Sequence, residues 1–260
     1  MSRLDVIFEA ISVRPEPGLV TFITAGDPDL DRTKEMLRVL DSAGADVLEV
    51  GVPFSDPLAD GPVIQRASER ALRSGTTLSR TISMVEKARP MVEAGIVMFT
   101  YANPVMRMGQ KVFLERAASA GVDGVLILDL PIEEADEFHT TAKNVEIDPI
   151  FLLSPTTTDD RIKRAADLGS TPGQFKYGTS LITGLSVKQD VEAGFGWIRK
   201  AADRDYTDAQ MFLATAYTQG KNVLPDVKKA TKWYRRAAGG SESAAMQEIA
   251  KRCLNGVGTE

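Results

Sequence analysis

In the first 170 positions, apolar residues fall in short continuous runs, separated by longer stretches where they recur at helical spacing. The runs LVTFIT (19–24), DVLEVG (46–51), GIVMFTY (95–101), GVLILDL (124–130) and PIFLLS (149–154) are nearly unbroken. That is the pattern of strands buried on both faces of a parallel sheet. Between them, DLDRTKEMLRVLDSAG (29–44) sets Leu30, Met36, Leu37 and Leu40 near helical spacing and closes on Gly44. GQKVFLERAASAG (109–121) and TTTDDRIKRAADLG (156–169) repeat the design, the latter with Thr or Asp as a cap. Five such units in succession predict an α/β architecture with right-handed crossovers.

Beyond residue 170 the texture changes to a repeat. Gly184, Gly220 and Gly256 are spaced 36 apart, as are the pairs Gln174 and Gln210, Val187 and Val223, Asp190 and Asp226, and Trp197 and Trp233. GQFKYGTSLITGLSVKQDVEAGFGWIRKAA aligns with AQMFLATAYTQGKNVLPDVKKATKWYRRAA, and a third unit begins AMQEIAKRCLNGVG. One period shared by so many positions predicts a helix–turn–helix solenoid, in which each unit needs a neighbour to bury its apolar face. Over about 173–258 the pattern resembles Sel1-like repeats, relatives of the tetratricopeptide class. The resemblance implies a protein-interaction scaffold without catalytic residues. Trp197 and Trp233 read as core between helices.

Composition narrows the classes. The chain has 260 residues, 43% hydrophobic and 26% charged, enough for one large domain or two medium ones. A net charge of -5 argues against nucleic acid as the main partner. Runs such as AGIVMFTYA are too short to span a bilayer, and MSRLDVIFEA carries charges where a secretory signal would be apolar. Cys253 is the one cysteine, so no disulfide framework exists and a reducing cytoplasm is expected. His139 is the one histidine; it reads as part of a solvated helix, and neither a metal nor a cofactor is expected. Residues 1–170 hold 18 basic and 27 acidic side chains, whereas residues 171–260 hold 13 and 9. This break predicts two modules, 1–170 and 171–260, of different origin and opposite charge.

Within LEVGVPFSDPLADG (48–61), Glu49 interrupts the end of an apolar strand, and Asp60 follows on a loop rich in Pro, Gly and Asp. In a βα architecture, chemistry belongs at the C-terminal ends of strands and on the loops that follow. Pro53, Pro57 and Pro62 restrict the loop and would hold Asp60 in place. Two carboxylates converging on one pocket can take different protonation states, the more buried acting as general acid and the wetter staying ionised. On spacing alone a second reading stands beside this one: Asp56 and Asp60 as turn-formers, and Glu49 as partner of a basic residue.

LEVGVPFSDPLADGPVIQRASERALRSGTT resembles the signature region of the tryptophan synthase alpha subunit, as do FITAGDPD, YANPV and LDLPIEE after the first, third and fourth strands. The resemblance covers about residues 1–170. It implies part of a TIM barrel that cleaves indole-3-glycerol phosphate to indole and glyceraldehyde 3-phosphate, in a family whose indole passes to a beta subunit. It further implies that Glu49 is the general acid/base, that Asp60 engages the indole N–H, and that Phe22, Leu126 and Leu152 line the indole pocket. The fold class expected is therefore a partial TIM barrel of five βα units followed by an all-α repeat module.

The chain departs from that family where the sixth to eighth βα units should stand. Those units carry the phosphate site, and no replacement glycine-rich loop follows; YGTSLITG (177–184) fits the 36-residue phase better than a sixth strand. Leu128 replaces a small residue and would crowd the pocket. An open sheet exposing a few hundred Å² of apolar surface would cost on the order of 10 kcal/mol, so the repeats or a second copy are expected to cover it. So abrupt a switch of family implies recombination. Two functions follow as expectations: a lyase slowed by loss of phosphate binding, and an inactive chimeric scaffold whose repeats bind protein. A beta subunit docking around Pro53–Pro57 and Asn103–Pro104 is a third.

Overall fold

The five apolar runs pair in chain order as one parallel sheet: β1 (Val20–Thr24), β2 (Val47–Gly51), β3 (Gly95–Thr100), β4 (Gly124–Ile127) and β5 (Asp148–Ile150). These elements are those of a computed structural model, which describes residues 2–152, 154, 156–185 and 187–239. Cys253, Gly256 and the third repeat unit lie outside the described residues. α1 (Arg3–Val13) precedes the sheet, and α2 (Leu30–Ser42) joins β1 to β2. α3 (Pro62–Arg73) and α4 (Leu78–Ala88) lead to β3, α5 (Ala102–Met108) and α6 (Gln110–Ser119) to β4, and α7 (Asp136–Asn144) to β5.

Strand alternation separates two faces. On one, Leu48, Val50, Ile96, Met98, Val125 and Ile127 pack with Leu37, Ile82, Val85, Phe113 and Phe138 of the crossover helices. Each such side chain removed from water stabilises the fold by roughly 1.5–3 kcal/mol. On the other face Val47, Val97, Leu126, Phe99, Leu128 and Ile150 form a smaller cluster, closed at its lower end by Leu4 and Ile7 of α1. Below the strands, Arg89 donates to Asp123 at 3.1 Å and to the carbonyl of Ala94 at 2.9 Å, so a charged pair ties α4's end to the sheet.

β3 stops one residue before the end of its apolar run, and two strands stop well short of theirs. β4 ends at Ile127, although Leu128 still donates to Thr100 O at 3.0 Å before the turn through Asp129 and Pro131. β5 covers three residues instead of six. It has only β4 as a neighbour, and Pro149 brings no N–H, so an apolar continuation gains no ladder bonds.

The chain divides into two compact units, residues 1–11 with 16–152 and residues 12–15 with 153–260. Among its described residues the elements of the second are all helices: α8 (Asp159–Asp167), α9 (Thr171–Thr183), α10 (Val191–Asp203), α11 (Thr207–Gln219) and α12 (Val227–Gly239). Phe195, Ile198, Leu213, Tyr217, Trp233 and Tyr234 are its core. Trp233 is buried, and Trp197 meets Tyr177 edge-on at 5.8 Å while Lys200 lies 4.0 Å from its ring centre.

The 36-residue period is physical. Gly184 and Gly220 close α9 and α11 in the left-handed conformation, φ 70° and 68°, which side chains resist. Asp190 and Asp226 each accept from the amide three residues on, at 2.9 Å. The buried Gln174 donates to Ala166 O at 3.3 Å and the buried Gln210 to Ala202 O at 3.1 Å. Both partners of these glutamine bonds are 36 apart, and IKRAAD (162–167) matches IRKAAD (198–203). α8 thus occupies, against α9, the place α10 occupies against α11.

Candidate active site

Glu49 is the middle residue of β2, with Phe22 of β1 and Val97 of β3 as its register partners. Register partners in a parallel sheet share a face, so Glu49 stands on the inner, Val97-bearing side. There it is half-buried, and burial raises its carboxyl above the ordinary value of 4.5. Among the described residues no cation pairs with it, which removes the support for reading Glu49 as half of a salt bridge.

The walls around it are aromatic and aliphatic. Phe22 meets Phe99 edge-on with ring centres 5.4 Å apart. Residue 51 is glycine at the point of closest approach; a Cβ there would lie 2.5 Å from the Phe22 ring. Leu126 is buried and pairs with Phe99 across the β3–β4 ladder, with Leu128 and Ile150 beside it. Leu152 stands apart: past the end of β5, it is 66% exposed.

Asp60 comes from above. It lies on the irregular segment 52–61 that precedes α3, whose first residue is Pro62. The Tyr101 hydroxyl donates to Asp60 Oδ2 at 3.1 Å and accepts from the Ala59 amide at 3.3 Å. Gln65 holds the Asp60 carbonyl at 2.8 Å, while Phe54 stacks on Tyr101 with ring centres 5.0 Å apart. Tyr101 follows β3 with extended backbone, φ -106° and ψ 159°, so alternation puts it on the side of Val97 and Phe99. Asp56 is bound by Ser55 Oγ at 2.5 Å within the same loop.

Phe22, Glu49 and Leu126 thus share one face, and Asp60 is fastened to the upper end of the strand between the latter two. Tyr101 and Phe99 were not singled out in the sequence. Tyr101 stands in the YANPV motif, but its partner lies 41 residues away, and no local pattern announces a bond of that range. Among the described residues, no cluster of three or more His, Cys, Asp or Glu could hold a metal, and no helix is long and apolar enough to cross a membrane.

A family model for the tryptophan synthase alpha chain matches residues 8–192, and one for the Sel1 repeat matches residues 207–240. The tryptophan synthase alpha chain of Geotalea uraniireducens is 50% identical over 170 residues, which are 65% of this chain and 64% of that one. That of Burkholderia thailandensis is 50% identical over 182 residues, 70% and 66% of the two chains. The chain therefore spans less than two thirds of the length of these relatives. A structure of the tryptophan synthase a2b2 complex from Pyrococcus furiosus aligns at a TM-score of 0.56 and 42% identity, over 58% of this chain and 64% of that one. The alpha chain of Legionella pneumophila aligns at 0.63 and 26% identity, over 97% and 98%. The motifs from FITAGDPD to LDLPIEE, the five-stranded parallel sheet and a family match over most of the sequence agree: this chain belongs to the tryptophan synthase alpha chain family.

Proposed function

We propose that the chain cleaves indole-3-glycerol phosphate to indole and glyceraldehyde 3-phosphate, as its family implies, at a much reduced rate. The observation that carries this reading is Glu49: a half-buried carboxyl of raised pKa, without a cation, on an apolar face beneath an anchored Asp60. Val97, level with Glu49, and Tyr101, which holds Asp60, are four residues apart on one strand face, roughly 13 Å of rise at about 3.3 Å each, so Glu49 lies below and Asp60 above on the same side.

In this reading the substrate's indole lies against Phe22 and Leu126, with its N–H toward Asp60. Protonated Glu49 donates to the ring carbon that bears the glycerol chain. Positive charge develops on the ring nitrogen, where ionised Asp60 stabilises it. The Glu49 carboxylate, having given up its proton, takes the one on the adjacent chain hydroxyl, so that a carbonyl forms and the carbon–carbon bond breaks. The bonding pair returns to the ring as indole. Atoms balance without water or a redox partner.

The reduction in rate follows from the part of the family's barrel that this chain does not match. The match covers 64–66% of the relatives' length, and the elements described after residue 152 are helices rather than further strands. Binding energy from the remote phosphate, normally used to support the chemical step, is then largely lost. A beta subunit is the proposed partner of the loops around Pro53–Pro57 and Asn103–Pro104; next to the first, Leu58 is 88% exposed in a groove lined also by Phe54, Pro57, Gln65 and Leu72. The repeats are proposed to bind a protein, a second copy of this chain included.

The shortened barrel also favours a second reading, an inactive scaffold that presents the repeats. Indole release from indole-3-glycerol phosphate separates the two. A slow release abolished in Glu49→Gln supports the lyase; equal background in both chains supports the scaffold. Stimulation of that release by an added beta subunit tests the docking.

A further inference from the structure

Building on the lyase reading, we infer that Tyr101 is a positioning residue: it sets the direction of the Asp60 carboxylate and pins the loop that carries it to the top of β3. The hydroxyl has one hydrogen to give and lone pairs to accept with. It gives that hydrogen to Asp60 Oδ2 at 3.1 Å and accepts from the Ala59 amide at 3.3 Å, so both of its bonds go to consecutive residues of one loop. The second carboxylate oxygen, Oδ1, is left for a ligand N–H. A donor to an ionised carboxylate makes a stronger bond than one between neutral groups, and it fixes an angle as well as a distance.

Tyr101 itself has little freedom. It is 2% exposed, its ring is stacked on Phe54 at 5.0 Å with 30° between planes, and it closes the strand that places Val97 level with Glu49. Burial, then the charge of Asp60, raise its pKa above the ordinary 10.0, so it remains a donor throughout the neutral range. The backbone of Asp60 is held separately, through Gln65 to its carbonyl at 2.8 Å. Loss of the Tyr101 hydroxyl would therefore free the carboxylate while leaving the loop attached to α3. No other described side chain has a hydrogen bond to Asp60 Oδ1 or Oδ2 in this structure.

The test uses the full chain with Tyr101→Phe, which keeps the stacked ring, Asp60→Asn, and the double variant. With indole as calorimetric probe, each single variant is expected to bind about tenfold more weakly than wild type, and the double variant no more weakly than either. In the indole-release assay, Tyr101→Phe should raise KM by up to the same tenfold and lower kcat as well, because the charge on the ring nitrogen that Asp60 meets is greater in the transition state. Unchanged indole affinity in Tyr101→Phe, or losses that add in the double variant, would overturn the inference. Should the wild-type chain bind no indole, the lyase reading fails, and amide exchange at Ala59 decides this inference separately. Exchange about tenfold faster in Tyr101→Phe but not in Gln65→Ala upholds the pin; equal exchange in wild type and Tyr101→Phe refutes it.

Discussion

The ring of Phe22 stands edge-on to that of Phe99, centres 5.4 Å apart, across a position where β2 carries only a hydrogen. The contact joins the first and third strands over the backbone of the second. It turns one strand end into the floor of an apolar hollow next to Glu49.

Gly51→Ala therefore strikes that floor. Its Cβ would lie 2.5 Å from Phe22 Cζ, too close for any real contact. Overpacking of this kind costs about 1–3 kcal/mol, and the variant should show that loss in urea unfolding together with weakened indole binding. A variant as stable as wild type with unaltered indole affinity would show that Phe22 does not form the floor.

Glu49 should oppose stability at neutral pH. Its folded pKa is raised by burial, so the folded state prefers the protonated form, and the preference is fully expressed below the ordinary value of 4.5. As pH rises through the folded value, the unfolded chain ionises more readily and stability falls. Glu49→Gln is expected to melt at or above the wild-type temperature at pH 7, with the advantage vanishing well below pH 4.5. Activity should move in the opposite direction, to background at every pH. A Glu49→Gln chain that is less stable at pH 7 would argue for a salt-bridged glutamate.

Asp27 and Arg70 give the contrary sign. Arg70 donates from Nε and Nη2 to the two Asp27 oxygens at 2.8 and 2.7 Å, and this hydrogen bonding holds the Asp27 carboxyl below its ordinary 3.8. Stability from the pair is present above 3.8 and lost as pH falls through the lower folded value. Arg70 is exposed, so solvent screens the pair: Arg70→Ala should lower the denaturant midpoint slightly at pH 7 in low salt, and not at all once Asp27 is protonated. Denaturant melts at the two pH values check it.

In the helical unit, Gln174 and Gln210 are buried, at 6% and 2% exposure, and donate to carbonyls at equivalent places in successive repeats. Replacing either by Leu removes one of the donors to a carbonyl that keeps a backbone amide, Gly169 N–H on Ala166 O at 3.0 Å and Asp205 N–H on Ala202 O at 3.2 Å, so the loss is that of one hydrogen bond, about 0.5–1.5 kcal/mol. Gln210 donates also to Asp205 at 2.9 Å, whereas the residue at the matching place for Gln174 is Gly169. Gln210→Leu should therefore be the costlier of the two in thermal unfolding. Equal losses would mean that the Asp205 bond contributes nothing.

How much of this was legible beforehand differs between the two units. All five strands lie within the apolar runs or one residue outside them, because strands covered on both faces must be continuously apolar. The repeat showed itself by period alone, and Gly184, Gly220, Asp190 and Asp226 perform the capping that their residue types suggest. α8 was less transparent. Its apolar spacing fits a crossover helix as well as a repeat helix, and only its packing on α9 through Gln174 and Ala166 tells the two apart.

The sequence by itself determined the order of strands and helices, the family, the two textures and the candidate carboxylates Glu49 and Asp60. These are local patterns or matched motifs, readable along the chain. Only the tertiary structure decided which side chains stand together and which are exposed: Phe22 over Gly51 against Phe99, Tyr101 beneath Asp60, Leu152 largely in solvent past the end of β5. Each is set by strand register, by where a ladder ends, or by a bond across 41 residues. Periodicity tells which face a side chain takes, whereas register and packing choose its neighbour.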